Sequence, residues 1–239
     1  MNHANHASHA HTHDNRRKAF IERASAKCNI QVSLDIDGGM LDFLPNDEEF
    51  KSVPDQKSLH HASQITACQT VWIWTGVGFF DHMLHALAKH AGWSLRVRTV
   101  ADLAIDDHHT VEETTLALGS ALTAALGDRT GLARYGFSFA PLDEALCRAV
   151  VDLSNRPFFV GEFGFQGEKI GDLSTQMVWH ALQSLSQTGG ITLHVDVLRG
   201  NNDHHRCEAA FKALALAMKM ACERIPHLAG EVISTKGVL

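Results

Sequence analysis

The sequence contains one five-residue string twice, each time where a long helix is predicted to start. His108-His109-x-x-Glu112 lies 96 residues before His204-His205-x-x-Glu208. Both strings follow predicted strands and a first helix, and both lead into a helix rich in alanine. A repeated order of this kind constrains the fold strongly, because two similar units must bury similar faces. The sequence therefore predicts a duplicated α/β unit.

The predicted elements of the two halves correspond one to one. In the first half, strands are predicted at 29–34, 71–74 and 94–100, and helices at 79–91 and 110–125. In the second half, strands are predicted at 146–153, 158–165 and 191–198, and helices at 174–186 and 208–221. We expect an α/β (α+β) fold in which two mixed sheets cover packed helices.

The chain of 239 residues is long enough for two such halves, which we place at 17–127 and 128–239. A polar, proline-containing stretch at 45–69 is predicted to be an excursion loop of the first half. Residues 1–16 contain five histidines among small and polar residues, and we expect a disordered tail there. The C-terminal residues are predicted to form a tail that can fold over a bound anion.

Composition excludes several classes of protein. The formal net charge of −6 argues against a general nucleic-acid binder, which is usually basic. No apolar run approaches the roughly 20 residues that cross a bilayer. The five cysteines are odd in number and lack CxxC spacing, which is typical of reduced intracellular thiols. We therefore expect a cytoplasmic protein.

The repeated string has the spacing of a metal site. On a helix, positions i and i+4 lie about 40° apart around the axis, whereas adjacent residues diverge by about 100°. One histidine and the glutamate can thus meet one ion, while the neighbouring histidine more naturally reaches a second. Further imidazoles are available at His82 and His180, in the first helix of each half. The alternative interpretation is a solvated helix start, where acidic residues favour the helix dipole.

Six histidines and two carboxylates, divided evenly, supply three nitrogens and one oxygen to each of two ions. This ligand type suits manganese, iron or zinc, and the sequence does not choose among them. Ligands at helix starts far apart in the chain can also complete their sites across subunits.

Several cationic or hydroxyl side chains are candidates for binding an anion. Lys212 follows Glu208 by four positions, a spacing also typical of an ordinary helical ion pair. Arg134 and Arg156 lie near the ends of predicted strands or turns, where arginine suits bidentate phosphate recognition. Ser234 and Lys236 lie in the C-terminal tail. No glycine-rich nucleotide fingerprint is present.

These motifs together resemble one known family. The strings GVGFFDHMLHALAKHAGW, IDDHHTVEE, PLDEAL, DLSNRP, DHHRCEAAFKA and STKGVL are similar to the imidazoleglycerol-phosphate dehydratase family, and the likeness covers residues 17–239. The segment 45–69 and the string ALAKHAGWSL resemble its fungal branch.

The resemblance implies two fused β/α halves with a helical bundle between two mixed sheets, similar to domain 2 of ribosomal protein S5. It implies a homo-oligomer of 24 subunits with two Mn²⁺ per subunit, bound in dimanganese sites between neighbours. Carried over by motif, the metal ligands are His82, His108, His109, Glu112, His180, His204, His205 and Glu208. The implied phosphate contacts are Arg134, Arg156, Lys212, Ser234 and Lys236.

The family's reaction, in histidine biosynthesis, removes water from D-erythro-imidazole glycerol phosphate to give imidazole acetol phosphate. The departing proton lies on a carbon that has no adjacent carbonyl to stabilise a carbanion. Two metals can hold the substrate ring as an imidazolate, whose electrons help to expel the hydroxyl. Protons must still be moved by an acid or base, and Glu112 and Glu208 are the carboxylates at the metals.

One segment departs from the family pattern R-x-T-x-E-T-x-I. Here the string runs from Arg23 to Ile30, with Lys27 in place of the catalytic glutamate and Cys28 in place of the threonine. A lysine near two dications is electrostatically unfavourable. An active dehydratase is the leading interpretation. A metal-binding, shell-forming homologue with impaired turnover and an unrelated dinuclear metallohydrolase are the alternatives.

Overall fold

The first half of the protein forms a five-stranded sheet and two helices. The computed structural model describes residues 16–25, 27–41 and 63–237. The strands are β1 (Lys18–Ala24), β2 (Cys28–Asp35), β3 (Ser63–Thr66), β4 (Gln69–Trp74) and β5 (Ser94–Ala101). They lie in the order β1-β2-β5-β4-β3. The helices are α1 (Gly78–Ala91) and α2 (His108–Leu126).

The second half forms a four-stranded sheet, a short hairpin and two helices. The sheet contains β6 (Tyr135–Leu142), β7 (Ala145–Asp152), β8 (Phe158–Glu162) and β11 (Thr192–Arg199), in the order β6-β7-β11-β8. The hairpin pairs β9 (Lys169–Ile170) with β10 (Leu173–Ser174). The helices are α3 (Thr175–Gly189) and α4 (Asp203–Ala221), and a short 3₁₀ helix follows at Pro226–Leu228.

The two main sheets share one pairing scheme. In the first sheet β1–β2 and β2–β5 are antiparallel, and β4–β5 is parallel. In the second sheet β6–β7 and β7–β11 are antiparallel, and β8–β11 is parallel. Each parallel pair is joined by a crossover helix, α1 or α3, as parallel neighbours require. The predicted duplication is therefore visible in the topology, with β3 as an added edge strand.

The helices lie between the sheets and pair across the halves. Helix α2 packs on the first sheet and α4 on the second, while α1 contacts α4 and α3 contacts α2. The α2–α3 contact is close: a Cβ on Gly119 would lie 2.8 Å from the Leu185 carbonyl oxygen. Apolar side chains of both halves join in one core. This arrangement confirms the expected helical bundle between two mixed sheets.

Three edge strands, β1, β3 and β6, were not predicted, and β6 shows one reason. Its small residues face inward, because a Cβ on Gly136 would lie only 1.9 Å from the Ala217 carbonyl oxygen of α4. Its large residues face outward, with Phe137 61% and Phe139 55% exposed. The usual alternation of apolar-in and polar-out residues is reversed, so sequence alternation alone predicts the wrong buried face.

The segment expected to be an excursion loop is not all loop. Residues 63–66 form β3, which pairs antiparallel with β4, and Gln69 is the first residue of β4. Residues 42–62 and the predicted tail at 1–15 lie outside the described residues. None of the described helices combines the length and apolar character needed to cross a bilayer.

Candidate metal centre

The paired helices α1 and α4 bring two imidazoles and a carboxylate together. His82 Nε2 lies 3.1 Å from Glu208 Oε2, and His204 Nε2 lies 3.2 Å from the same oxygen. One potential ligand atom from each residue lies within 4.8 Å of those of the others. His82 comes from the first half and the other two residues from the second, so this cluster exists only when the halves are packed together.

A second cluster of the same composition lies where α2 meets α3. His180 Nε2 is 3.0 Å from Glu112 Oε1, and His108 Nε2 is 3.6 Å from Glu112 Oε2. Here the second half supplies His180, and the first half supplies His108 and Glu112 from its repeated string. The i,i+4 spacing places that pair on one helical face, as the sequence indicates.

Two carboxylates cap the helices that carry His82 and His180, and each comes from the opposite half. Asp172 accepts hydrogen bonds from the backbone N–H groups of Gly78 and Phe79, at 2.6 and 2.9 Å, where α1 begins. Asp107 accepts from the Ser174 backbone N–H and, at 2.9 Å, from the Ser174 hydroxyl, where α3 begins. These contacts satisfy free N–H groups at the helix starts and tie each helix to the opposite half.

Glu208 is held in its charged form. Burial of its carboxyl raises the pKa, but hydrogen bonds from Lys212 and His82, together with the charge of Lys212, lower the pKa to about 2. Lys212 Nζ lies 2.7 Å from Glu208 Oε1. A carboxylate that stays ionised is a suitable metal ligand across the physiological pH range.

The second histidine of each string lies outside these clusters. The Nδ1 of His205 lies 2.6 Å from Glu144 Oε2, in the turn between β6 and β7. The hydrogen bond to Glu144 raises the pKa of His205, and hydrogen bonds from His205 and two backbone N–H groups lower the pKa of Glu144 to about 2. The Nδ1 of His109 is buried without a hydrogen-bond partner among the described residues.

The donor set fits a divalent transition-metal ion. Each cluster offers two imidazole nitrogens and one carboxylate oxygen, with no thiol, which suits manganese, iron or zinc. Three protein donors leave coordination positions for further ligands. Six of the eight predicted ligands lie in the two clusters, and His109 and His205 lie outside them.

Four of the five predicted phosphate contacts line one surface cavity of about 540 Å³. Arg134 and Arg156 face Ser234 and Lys236 there, together with Tyr135, Ile233 and Thr235. Arg134 is buried and makes a bidentate ion pair with Asp152, at 2.7 and 3.1 Å, while the Arg156 side chain is 63% exposed. The fifth residue, Lys212, lies at the His82–His204–Glu208 cluster instead.

Lys27 lies in the turn between β1 and β2. Its side chain is exposed, and its backbone N–H donates to the Ser25 hydroxyl at 3.2 Å. Arg23, near the end of β1, forms an ion pair with Glu113 of α2 at 2.7 Å, so this turn lies close to the start of α2. Sequence reasoning missed Asp107, Asp172 and Glu144 as supporting residues. For Asp107 and Glu144 the signal was present, because both belong to strings that carry the family resemblance.

Comparisons with known proteins agree on one family. The family model described as imidazoleglycerol-phosphate dehydratase matches residues 75–218. The chain is 52% identical over 226 residues to the imidazoleglycerol-phosphate dehydratase of Candida albicans, covering 93% of this chain and 98% of that protein. It is 51% identical over 223 residues to the enzyme of the same name from Saccharomyces cerevisiae, covering 93% and 98%.

Two solved structures share the fold. The imidazoleglycerol-phosphate dehydratase of Staphylococcus aureus matches with a TM-score of 0.67 and 28% identity, covering 87% of this chain and 99% of that one. The Pyrococcus furiosus structure, a complex with (S)-C348, matches with a TM-score of 0.68 and 26% identity, covering 92% and 100%.

Proposed function

The chain belongs to the imidazoleglycerol-phosphate dehydratase family, and from this premise we propose that it removes water from D-erythro-imidazole glycerol phosphate to give imidazole acetol phosphate. Membership of the family makes it a hydro-lyase of histidine biosynthesis. It also rules out the alternative of an unrelated dinuclear metallohydrolase. The observation that carries the proposal is the pair of matching His-His-Glu clusters, each assembled from both halves.

The proposed cofactor is Mn²⁺, two ions per subunit. The clusters would hold the ions through His82, His204 and Glu208, and through His108, Glu112 and His180. His109 and His205 would act as further ligands, and their position outside the clusters suits sites shared between neighbouring subunits. When bound, the ions would supply positive charge that lowers the pKa of a substrate imidazole nitrogen.

The cavity that contains Arg134, Arg156, Ser234 and Lys236 supports recognition of the substrate phosphate. An arginine guanidinium group can donate two parallel hydrogen bonds to two oxygens of one phosphate. A serine hydroxyl and a lysine ammonium group add further donors. Asp152 holds Arg134 in place from one side, which limits the conformational entropy lost on binding. Lys212 would instead act beside Glu208, where its charge keeps that carboxylate ionised.

A homo-oligomer of 24 subunits is the proposed assembly, with a second copy of this chain as the partner. The outer face of the second sheet supports self-association, because neighbouring strands carry Phe137, Val150 and Val160 in one row with His194, and the three apolar side chains are each at least 40% exposed. Exposed apolar patches of this kind mark interaction surfaces. The expected cytoplasmic location stays a prediction.

A second candidate function is a metal-binding, shell-forming homologue with impaired turnover. Lys27 favours it, because this exposed lysine lies where the family pattern has an acid. A positioned acid or base contributes typically about 10²–10⁴-fold to a rate, so its loss would leave binding and assembly but slow the reaction.

One assay separates the two candidates. Purified protein is incubated with imidazole glycerol phosphate, with and without added Mn²⁺, and imidazole acetol phosphate is measured. Manganese-dependent product, abolished in His82→Ala, supports the dehydratase. Full metal loading and oligomer mass without product would support the impaired homologue. A protein that neither binds Mn²⁺ nor forms product would contradict both.

A further inference from the structure

Glu144 contacts His205, the second histidine of the second repeated string. It lies in the two-residue turn between β6 and β7. Its Oε2 lies 2.6 Å from His205 Nδ1, and its Oε1 accepts hydrogen bonds from the backbone N–H groups of Asn201 and Asn202, at 3.0 and 2.9 Å. The carboxylate thus ties the residues just before α4 to the imidazole ring of a residue inside α4.

A carboxylate at Nδ1 selects one state of the imidazole ring. It accepts the Nδ1 hydrogen, so the neutral ring keeps its free lone pair on Nε2, which is the atom left to bind a metal. The same contact also fixes the orientation of the ring. The Nε2 of His205 lies 4.0 Å from an oxygen of the exposed Asp143, too far for a hydrogen bond that would compete.

The duplication identifies the counterpart of Glu144 in the first half. Strand β7 ends at Asp152, which pairs with Thr192, the first residue of β11. Strand β2 ends at Asp35, which pairs with Ser94, the first residue of β5. Both strands contain eight residues, so the residue before β7 and the residue before β2 are equivalent. Those residues are Glu144 and Lys27.

His109, the counterpart of His205 in the first half, has no such contact at its Nδ1 among the described residues. His109 follows His108 as His205 follows His204, and the rings of both pairs lie edge to face, with centroids 5.9 and 6.0 Å apart. Yet His109 Nδ1 is buried without a partner among the described residues. An ammonium group has only donors, so Lys27 cannot accept the Nδ1 hydrogen as Glu144 does. Glu113, the next carboxylate after Glu112, is paired with Arg23.

We propose that Glu144 is a positioning residue for His205, and that Lys27 leaves His109 without the equivalent support, so that the two repeated strings bind metal with unequal affinity. This inference rests on the proposed metal sites but not on turnover. Carboxylates that orient a metal-binding histidine typically contribute roughly 10–100-fold to metal affinity. We expect the affinities of the two sites to differ by about that factor.

The first test measures metal affinity in the full-length chain, with the five tail histidines replaced by asparagine to remove competing imidazoles. Mn²⁺ binding is followed by electron paramagnetic resonance of the free ion. With no change other than those tail replacements, the chain should show two distinct dissociation constants for Mn²⁺. Glu144→Gln should weaken the tighter site, and Lys27→Glu should strengthen the weaker one, each by roughly 10–100-fold. Lys27→Met removes the charge without adding an acceptor, and it should produce a smaller gain than Lys27→Glu.

The second test reads the ring directly and does not depend on metal loading. Long-range ¹H–¹⁵N spectra of the metal-free, ¹⁵N-histidine-labelled chain distinguish the two neutral tautomers above the imidazole titration. The signal that disappears in His205→Asn should have the pattern of a ring protonated at Nδ1, and Glu144→Gln should convert it to a mixture.

Equal Mn²⁺ dissociation constants at the two sites of the chain with only its tail histidines replaced would overturn the inference, even in an active dehydratase. A His205 ring protonated at Nε2 would overturn it as well. Absence of any Mn²⁺ binding would contradict the proposed metal sites instead, so the two failures are distinguishable.

Discussion

His82 Nε2 lies 3.1 Å from Glu208 Oε2, although the two residues are 126 positions apart in the chain. Helix α1 of the first half packs against α4 of the second, and that contact alone brings the two side chains together. The matching contact spans 68 positions, and here the histidine, His180, comes from the second half and the glutamate, Glu112, from the first. Because both clusters exist only in the folded chain, ions that bind them should stabilise it.

The first prediction concerns metal stoichiometry. In protein with the five tail histidines replaced, about two divalent ions should bind per chain, and His82→Ala or His180→Ala should each lower that number by about one, because each removes a ligand from a different cluster. Inductively coupled plasma mass spectrometry after dialysis measures it. His90→Ala, on the same helix as His82 but outside the cluster, is the matched control. Two ions retained in both cluster variants would contradict the assignment.

The second prediction concerns the carboxylates that cap helices across the halves. Asp172→Asn and Asp107→Asn should each lower the free energy of unfolding by about 0.3–1 kcal/mol, because the amide oxygen still accepts hydrogen bonds but the negative charge that favours a helix N-terminus is lost. Urea denaturation of the metal-free protein measures the change.

Asp128→Asn is the control for these caps, since the exposed Asp128 accepts hydrogen bonds from nearby Thr130 of its own half. It should cost less than either cross-half variant. Unchanged unfolding midpoints in Asp172→Asn and Asp107→Asn would show that the caps do not hold the halves together.

The third prediction separates the two arginines of the phosphate cavity. Arg156→Ala should weaken binding of the phosphorylated substrate by about 1.5–3 kcal/mol and leave stability unchanged, since its side chain is mostly exposed. Arg134→Ala should lower both substrate affinity and stability, because it also leaves the Asp152 carboxylate without its bidentate partner. Calorimetry and thermal unfolding measure the two effects.

Arg17→Ala provides the comparison for Arg134→Ala, because Arg17 forms an ion pair with Asp37 away from this cavity. Wild-type affinity in Arg134→Ala and Arg156→Ala would refute the phosphate assignment.

The fourth prediction concerns assembly. If neighbouring subunits share each ion through His109 and His205, complete removal of metal should dissociate the oligomer into smaller species, and Mn²⁺ should restore it. Light scattering before and after chelation follows the mass. A particle whose mass does not change on complete demetallation would count against shared sites.

The fifth prediction concerns turnover. Lys27→Glu restores the carboxylate of the family pattern, and we expect it to raise kcat at least about tenfold, since general acid–base groups contribute about 10²–10⁴-fold. Steady-state kinetics at saturating Mn²⁺ measures the change. Lys27→Gln introduces a side chain of the same size as glutamate that cannot act as an acid, so it should not raise kcat comparably. A wild-type rate that Lys27→Glu fails to improve would mean that the acid comes from elsewhere.

Local features of the structure followed from the sequence. The spacing of His108 and Glu112, and of His204 and Glu208, placed each pair on one helical face, because the 3.6-residue period acts on neighbouring turns. The repeated order of strands and helices predicted two similar halves, and both sheets do share one pairing scheme. The reversed faces of β6 escaped prediction, because small residues are buried there only where α4 approaches closely.

Which helix packs against which was decided by the tertiary structure alone. The sequence indicated that His82 and His180 were available imidazoles, but not that each would join the repeated string of the opposite half. Asp172 at the start of α1 and Glu144 beside His205 depend equally on that packing. Helical period is a local property of the chain, whereas the choice of packing partner depends on how all apolar faces are buried at once, and no short stretch of sequence contains that information.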